Sequence, residues 1–537
     1  MAAAMVLSAC GNRPKITLSF RVVDRAYLPS PDKVAQEIQA QLKEVGIDVK
    51  LKEMESAAFI DATSAGTEGF YLLGWNADYP DATNFYDYHF GNAQNKQFGN
   101  LYPDMVAEIA AAAKTSDPAV RQAHYDTINQ MLKDDVMMIP VAHGGSSTAY
   151  QANVVGAHSS PLGNESFSVM SNGTDQFVWM QNGEPNALWC NDESDGETLR
   201  ACEQVYESLL GFSVGGTEVV PSLATGYTPN ADLTEYTFAL RQGVKFQNGD
   251  AFNANDVVAT FAAQWDAKSP NHIGRTGTFE YFGAFFGTFL NADTQVASIT
   301  TTNGLDSLAA PDCTYGGEFK SIEAVDANTV KFTLCYADPA FASKVAFSVF
   351  AIQSKAYLDA NNGDSVKMSE KPNGTGPYMV KAWNRGDSVV FEANPTYWGT
   401  PALTKNLIFR WSEQSAQRLL ELQAGTVNGI DNPGPDDIAA IEADTNLKLY
   451  PRQGFNIFYI GFCNTIPPFD NLLVRQAISY AIDRQRIVDQ YYAKGSSVAT
   501  NFVPDFVKPG ASPNIPWWPF DQAKAKELLV QAGYTVP

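Results

Sequence analysis

Apolar and polar residues alternate from Lys15 to Val22, the period of a half-buried strand. Ser30-Pro31-Asp32 then places a capping residue before a proline at the first helical position, and Val34, Ile38, Leu42 and Val45 form an apolar stripe that stops at Gly46. Alternation returns at Ile47, Val49 and Leu51, which predicts a strand, helix, strand unit whose right-handed crossover makes the two strands parallel neighbours. A third strand, Phe70 to Leu73, is expected in the same sheet and runs into the stretch Gly74 to Phe85. In open α/β sheets ligands bind beyond the carboxyl ends of strands, which is where Trp75 to Asp78 falls. A helix from about Pro118 to Lys133 follows, then a short buried strand from Val136 to Val141 ending at His143. Ser171-Asn-Gly-Thr-Asp reads as a polar linker. From Phe177 onward, short alternating strands such as Tyr236–Leu240, Val330–Leu334 and Val389–Ala393 predict a second lobe with a mixed sheet. The last helix is capped by Asp521, carries Ala525, Leu528, Leu529 and Ala532 on one face, and stops at Gly533.

Length raises this to two or three domains or lobes, since 537 residues exceed one ordinary core. A net charge of -22 with no basic run argues against nucleic acid and anionic membrane surfaces as partners. No run of about 18 apolar residues predicts a membrane span. The start of the chain, Leu7-Ser8-Ala9-Cys10, is similar to the lipobox of bacterial lipoproteins, in which the cysteine is acylated; no basic residue precedes it, so it is a truncated signal or a chance match. The first reading implies a periplasmic or extracellular protein anchored to a membrane through Cys10. Export would let Cys190 pair with Cys202 and Cys313 with Cys335, leaving Cys463 a buried thiol; a reducing compartment would leave them all as core cysteines. The five histidines are scattered and no Cys-x-x-Cys occurs, so neither a metal site nor a cofactor is expected.

Candidate chemistry concentrates after the third strand, where Trp75, Asp78 and Tyr79 bring an indole, a carboxylate and a phenol to one strand end before Pro80. Two readings fit these residues: a recognition site in which aromatic rings surround one carboxylate able to fix an amine, or a core strand followed by an acidic surface loop. Catalytic signatures are lacking: Gly144-Gly-Ser-Ser is no nucleophile elbow, no His-Glu-x-x-His occurs, and no glycine-rich phosphate cradle fits. The acidic pairs Asp134/Asp135 and Asp436/Asp437 are adjacent in sequence and point apart on a helix, which makes an extracellular hydrolase the weakest alternative.

Longer motifs are more specific. Val205-Tyr-Glu-Ser-Leu-Leu-Gly-Phe212, the run from Gly243 to Val258, Gly374-Thr-Gly-Pro-Tyr378, Asn394-Pro-Thr-Tyr-Trp398 and the run from Pro467 to Arg484 together resemble one family. It is the extracytoplasmic solute-binding proteins of bacterial peptide, nickel and oligosaccharide ABC transporters, the dipeptide- and oligopeptide-binding group known as solute-binding protein family 5. The resemblance implies an α/β, two-lobed periplasmic-binding-protein-like fold of type II, in the large peptide-binding subclass with an extra subdomain. The order of segments departs from the family: the part resembling its end, Lys15 to Met170 with Ser160-Pro-Leu-Gly-Asn-Glu-Ser-Phe, stands first. The expectation is therefore a circularly permuted fold, with a signal-like segment at 1–14, lobe II at 15–145 and 449–537, and lobe I at 150–448 with the inserted subdomain.

Function follows from the same resemblance: binding of short peptides and their delivery to a membrane-embedded ABC permease, by a monomer with no catalysis of its own. The family's Trp-x-x-Asp pattern falls on Trp75 to Asp78, which implies that Asp78 pairs with the ligand's α-ammonium, with Asp81 the rival, while main-chain groups of Gly74 and Asn76 pair with its backbone. Tyr79 stands beside them. A buried ammonium without a carboxylate costs several kcal/mol in order of magnitude, so one fixed aspartate can dominate affinity. The loop Cys190 to Glu197, including Asp195, corresponds to a ligand-facing loop of lobe I, and Asn456, Tyr459 and Asn464 lie in the strand that enters the cleft in the family. No arginine matches a motif for the ligand's carboxylate; Arg475 and Arg484 fall on a helix where they serve structure. Within the family, oligosaccharides, nickel chelates or haem are the alternative ligands, and a receptor is the alternative partner.

Overall fold

The expected strand, helix, strand unit is present in the computed structural model, which describes residues 12–22, 25–91, 96–100, 102–273, 279–292 and 297–537. Strands Lys15–Phe20 and Asp48–Glu53 pair in parallel, from Lys15 opposite Asp48 to Phe20 opposite Glu53. Helix Pro31–Glu44 connects them, with proline in its first turn and Val34, Ile38 and Leu42 fully buried. Burying an aliphatic side chain of this kind contributes roughly 1.5–3 kcal/mol, so the stripe holds the helix on the sheet more firmly than any helix propensity.

The first sheet has six strands in the order Asp48–Glu53, Lys15–Phe20, Phe70–Asn76, Asn456–Phe462, Met138–His143 and Ser497–Val498. It is thus assembled from both ends of the chain, and helices Leu472–Ala481 and Gln522–Gln531 pack on each other within the same apolar core. Asp521 caps the latter helix by accepting from the Lys524 N–H at 2.9 Å. The expected start of the fourth strand at Val136 is corrected: helix Pro118–Asp135 runs two residues beyond Lys133, and Val136 is its left-handed cap with φ 44°. The strand begins at Met138.

A second sheet of seven strands runs from Tyr378–Asn384 through Gln176–Gln181 at its centre to Ser146–Gln151 and Leu447–Arg452 at its far edge. An antiparallel third sheet, residues 224–240 and 300–334, shares its apolar core with the second and forms the extra subdomain. Disulfides Cys190–Cys202 and Cys313–Cys335 are both formed, with Cα atoms 6.2 and 5.5 Å apart, and Cys463 is a buried thiol. Cys10 lies outside the described residues.

The chain passes between the first and second sheets twice. It leaves the first at His143 and joins the second at Ser146, then returns between Arg452 and Asn456. This corrects the expected second boundary at 448/449: Leu449, Pro451 and Arg452 still pair with Ala149, Ser147 and Ser146 in the second sheet. The strand runs past Lys448 because its partner strand Ser146–Gln151 continues alongside it. Around this crossing Glu165, Arg200, Asp431 and Arg452 form a buried network, with Arg452 2.5 Å from Glu165 and 3.0 Å from Asp431. Arg200 is likewise 3.0 Å from each of these carboxylates.

Candidate functional site

Strand Phe70–Asn76 ends beside the second crossing, where Asn76 lies opposite Asn456 and the Ala77 N–H donates to the Phe455 carbonyl at 2.9 Å. Pro80 then forbids continuation, and the chain turns into the short helix Thr83–Tyr86. This turn projects Asp78 and Tyr79 from the first lobe toward the second. Tyr79 is 4% exposed and packs edge-on against Phe285 with ring centroids 4.9 Å apart, so a side chain that follows a strand of the first sheet completes the apolar core of the second and third.

Asp78 is half-buried at the junction. Its carboxylate accepts from Asn84 Nδ2 at 3.1 Å and from the Tyr281 hydroxyl at 2.9 Å, the latter carried by helix Glu280–Phe286 of the other lobe. Burial raises its pKa to about 6, the two hydrogen bonds oppose that rise, and the charge of Glu280 adds to it. None of these partners is a cation. The rival Asp81 is in the opposite situation: burial raises its pKa, but Arg121 grips it with contacts of 2.7 and 2.9 Å and Thr83 donates twice, so it ends below the ordinary value. Of the two carboxylates, Asp78 is the one with no cationic partner among the described residues.

Trp75 is stacked on Tyr88 at 4.8 Å and donates its indole N–H to Asn84 at 2.9 Å, while Asn84 also accepts from the Asp78 N–H at 3.2 Å. Asn84 therefore fixes both Trp75 and Asp78. Gly74 is required by close approach, since a Cβ there would stand 2.3 Å from the Tyr27 ring and 2.5 Å from the Ile457 carbonyl oxygen. Along this strand, Lys15–Phe20 pairs only at Ser19 opposite Tyr71, so the edge from Leu73 to Asn76 extends past that neighbour.

Other residues expected at the site have partners of their own within the chain. Asn456 is 4% exposed, and its amide bonds both main-chain groups of Gly144. Tyr459 is fully buried with its hydroxyl on Gln97 at 2.7 Å, and Asn464 exchanges hydrogen bonds with the main chain of Asn100. Asp195 caps helix Gly196–Cys202 through Thr198. The loop from Cys190 nevertheless reaches the junction indirectly: Asp192 accepts from the Phe279 N–H at 2.9 Å and so supports the start of the Tyr281 helix. Sequence reasoning missed Tyr281 and Asn84. Tyr281 sits in the aromatic run Phe279-Glu-Tyr-Phe-Gly-Ala-Phe-Phe, whose rings read as core, and only the meeting of lobes singles it out. Arg475 and Arg484 both donate to main-chain carbonyls, those of Asp135, Val136 and Phe469 for the first, and Pro140, Ala499 and Trp518 for the second. A surface cavity of about 410 Å³, lined by Ile438, Ile441, Leu447, Leu449 and Lys494 among others, contains none of the site residues.

Two sheets joined by two crossings, with a carboxylate and aromatic rings at the junction, define a two-lobed α/β architecture. The chain belongs to the bacterial extracellular solute-binding proteins of family 5, whose model matches residues 4–97 and 218–537. It is 34% identical over 342 residues to di/tripeptide-binding protein 1 of Pseudomonas aeruginosa, covering 62% of this chain and 58% of that protein. It is 31% identical over 340 residues to heme-binding protein A of Haemophilus influenzae, covering 62% of this chain and 57% of that one. Among solved structures, HbpA2 from Haemophilus parasuis superposes with a TM-score of 0.56 at 33% identity, over 67% of each chain. This chain thus spans less than two thirds of the length of those two curated relatives.

Proposed function

We propose that this protein binds short peptides between its lobes, holding the α-ammonium group on Asp78, and delivers them to an ABC permease without catalysing a reaction. The observation that carries the proposal is the contrast at the junction: Asp81 has Arg121, whereas among the described residues Asp78 has only neutral hydrogen-bond donors and a carboxyl pushed up to about 6. An arriving ammonium supplies the missing charge, and a carboxylate with four acceptor positions has room beside Asn84 and Tyr281. The strand edge Leu73–Asn76 beyond Ser19 offers main-chain groups for an extended peptide. Similarity to a di/tripeptide-binding protein supports the ligand class.

Stacking of Trp75 on Tyr88 covers one of its faces, which weighs against a sugar sandwiched by Trp75. Lobe II is assigned to 15–145 with the segment after the second crossing, and lobe I to the residues between, with Cys10 as the lipid anchor and a single chain as the working unit. The exchanged order of segments is supported by the two-block family match and by the meeting of the segments 12–20 and 522–537. There the Thr535 N–H donates to the Asn12 carbonyl at 2.9 Å, so helix Gln522–Gln531 leads in space to strand Lys15–Phe20.

Thermal unfolding against di- and tripeptides, oligosaccharides and hemin, with Asp78→Asn alongside, tests the reading. A peptide at 100 times its dissociation constant is expected to stabilise the protein by about 2.7 kcal/mol, and Asp78→Asn to abolish the shift. A shift with sugars or hemin alone would refute the peptide assignment.

A further inference from the structure

Both crossings between the lobes run through glycine. The first is His143-Gly144-Gly145-Ser146 and the second Arg452-Gln453-Gly454-Phe455-Asn456. They lie against each other: a Cβ on Gly454 would stand 2.8 Å from the carbonyl carbon and oxygen of Gly144, and one on Gly144 would overlap the Ala26 carbonyl. Glycine permits this approach but removes the side chains that would set a register. Asn456 replaces them. Its Oδ1 accepts from the Gly144 N–H at 2.8 Å and its Nδ2 donates to the Gly144 carbonyl at 2.8 Å. A primary amide offers one donor face and one acceptor in a plane, as a peptide group does, so Asn456 acts as a strand partner for a residue that has none. His143 adds a third bond, its ring Nδ1 to the Asn456 carbonyl at 2.6 Å, which fixes Nδ1 as the protonated nitrogen.

We propose that Asn456 is a positioning residue for ligand binding: its amide pins the two crossings together as the pivot about which the lobes close, and thereby sets where Asp78 meets the opposite lobe. The mechanical link is short. Phe455, next to Asn456, accepts from the Ala77 N–H, and Ala77 precedes Asp78. A change at Asn456 therefore reaches Asp78 without touching the ligand. This rests on the peptide-binding reading for its effect on affinity, but not for its effect on the lobes.

Asn456→Asp separates pinning from mere packing. The aspartate keeps the acceptor toward the Gly144 N–H but, when ionised, turns a second oxygen on the Gly144 carbonyl; protonation restores the donor. The titratable groups packed nearby are His143, whose pKa burial lowers to about 4, and Asp505, whose charge reaches His143. Neither Asn456 nor neutral His143 titrates between pH 5 and 8, whereas Asp78, raised to about 6, titrates there in parent and variant alike, so the variant is compared with the parent at each pH.

The experiment is a pulsed dipolar distance measurement between spin labels at exposed Lys50 and Lys381, one on each lobe, at pH 5 and pH 8 with no ligand added, followed by calorimetry with the dipeptide Ala-Phe. Asn456→Asp is expected to give a broader and longer distance distribution than the parent at pH 8, and to return to the parent distribution at pH 5. Its dissociation constant for Ala-Phe is expected to exceed the parent's at least tenfold at pH 8 and to approach it at pH 5. A distribution equal to the parent's at pH 8, or broadened equally at both pH values, overturns the proposal. If Asn456→Asp does not fold, Gly454→Ala decides: its Cβ forces the crossings apart, and a distribution unchanged from the parent overturns the pivot. Parent protein that fails to bind Ala-Phe while the distances behave as stated would sink the peptide reading and leave the pivot standing.

Discussion

Among the described residues Asp78 has no cationic partner, and its protonation should govern ligand binding. Its folded pKa, about 6, lies above the ordinary carboxylate value near 4, so what it adds to the stability of the protein alone is present below pH 4 and lost as pH rises through 6. A bound ammonium reverses the sign, because it favours the ionised form. Affinity for a dipeptide should therefore rise about tenfold from pH 5 to pH 7, and fall again above about pH 8 as the peptide's own amine deprotonates. Asp87 and Glu203 are also raised by burial, to about 7, so calorimetric titrations at each pH need Asp78→Asn as the control. Whatever weak binding that variant retains should lack the acid limb of the profile; an acid limb unchanged in Asp78→Asn would assign the proton to another group. At this scale Trp75, Asp78 and Tyr79 were legible from residue types and the stop at Pro80, whereas the choice between Asp78 and Asp81 required Arg121, which is distant in sequence. Asn456 and Tyr459 were expected near the cleft only through the family resemblance, whose matching strand enters it; their partners, Gly144 and Gln97, come from the other segment of the chain.

Among elements, the first strand, helix and strand were plain in the apolar spacing, since local periodicity and caps decide them. The far edge of the second sheet was not, because Leu447–Arg452 is held by register with Ser146–Gln151, a pairing across about 300 residues of chain. The two disulfides divide structural from functional support. Each closes a loop, 12 and 22 residues in separation, and removing either should cost about 3 kcal/mol of stability on the chain-entropy account. Cys190–Cys202 also anchors the loop that supports the Tyr281 helix through Asp192, whereas Cys313–Cys335 ties a turn to a strand end in the extra subdomain. Replacing the first pair with serines should lower the unfolding midpoint and weaken peptide binding; replacing the second should lower the midpoint alone. Equal losses of affinity in the two variants, measured by calorimetry, would remove the loop from the account of the site.

For the whole molecule, the proposed site draws on both sides of the junction: Asp78 comes from one, Tyr281 from the other, and Tyr79 crosses into the second core. Family motifs announced this architecture in the sequence, but not the side chains that meet, since closing contacts depend on the geometry of two crossings and not on any local pattern. The central claim is that the junction recognises a free α-ammonium group. Calorimetric titration of one dipeptide and of its N-acetylated form tests it directly. The account predicts that the free dipeptide binds and that acetylation weakens binding at least a hundredfold, as loss of a charge-assisted pair at a partly buried carboxylate requires. Equal affinity for the two forms would contradict it.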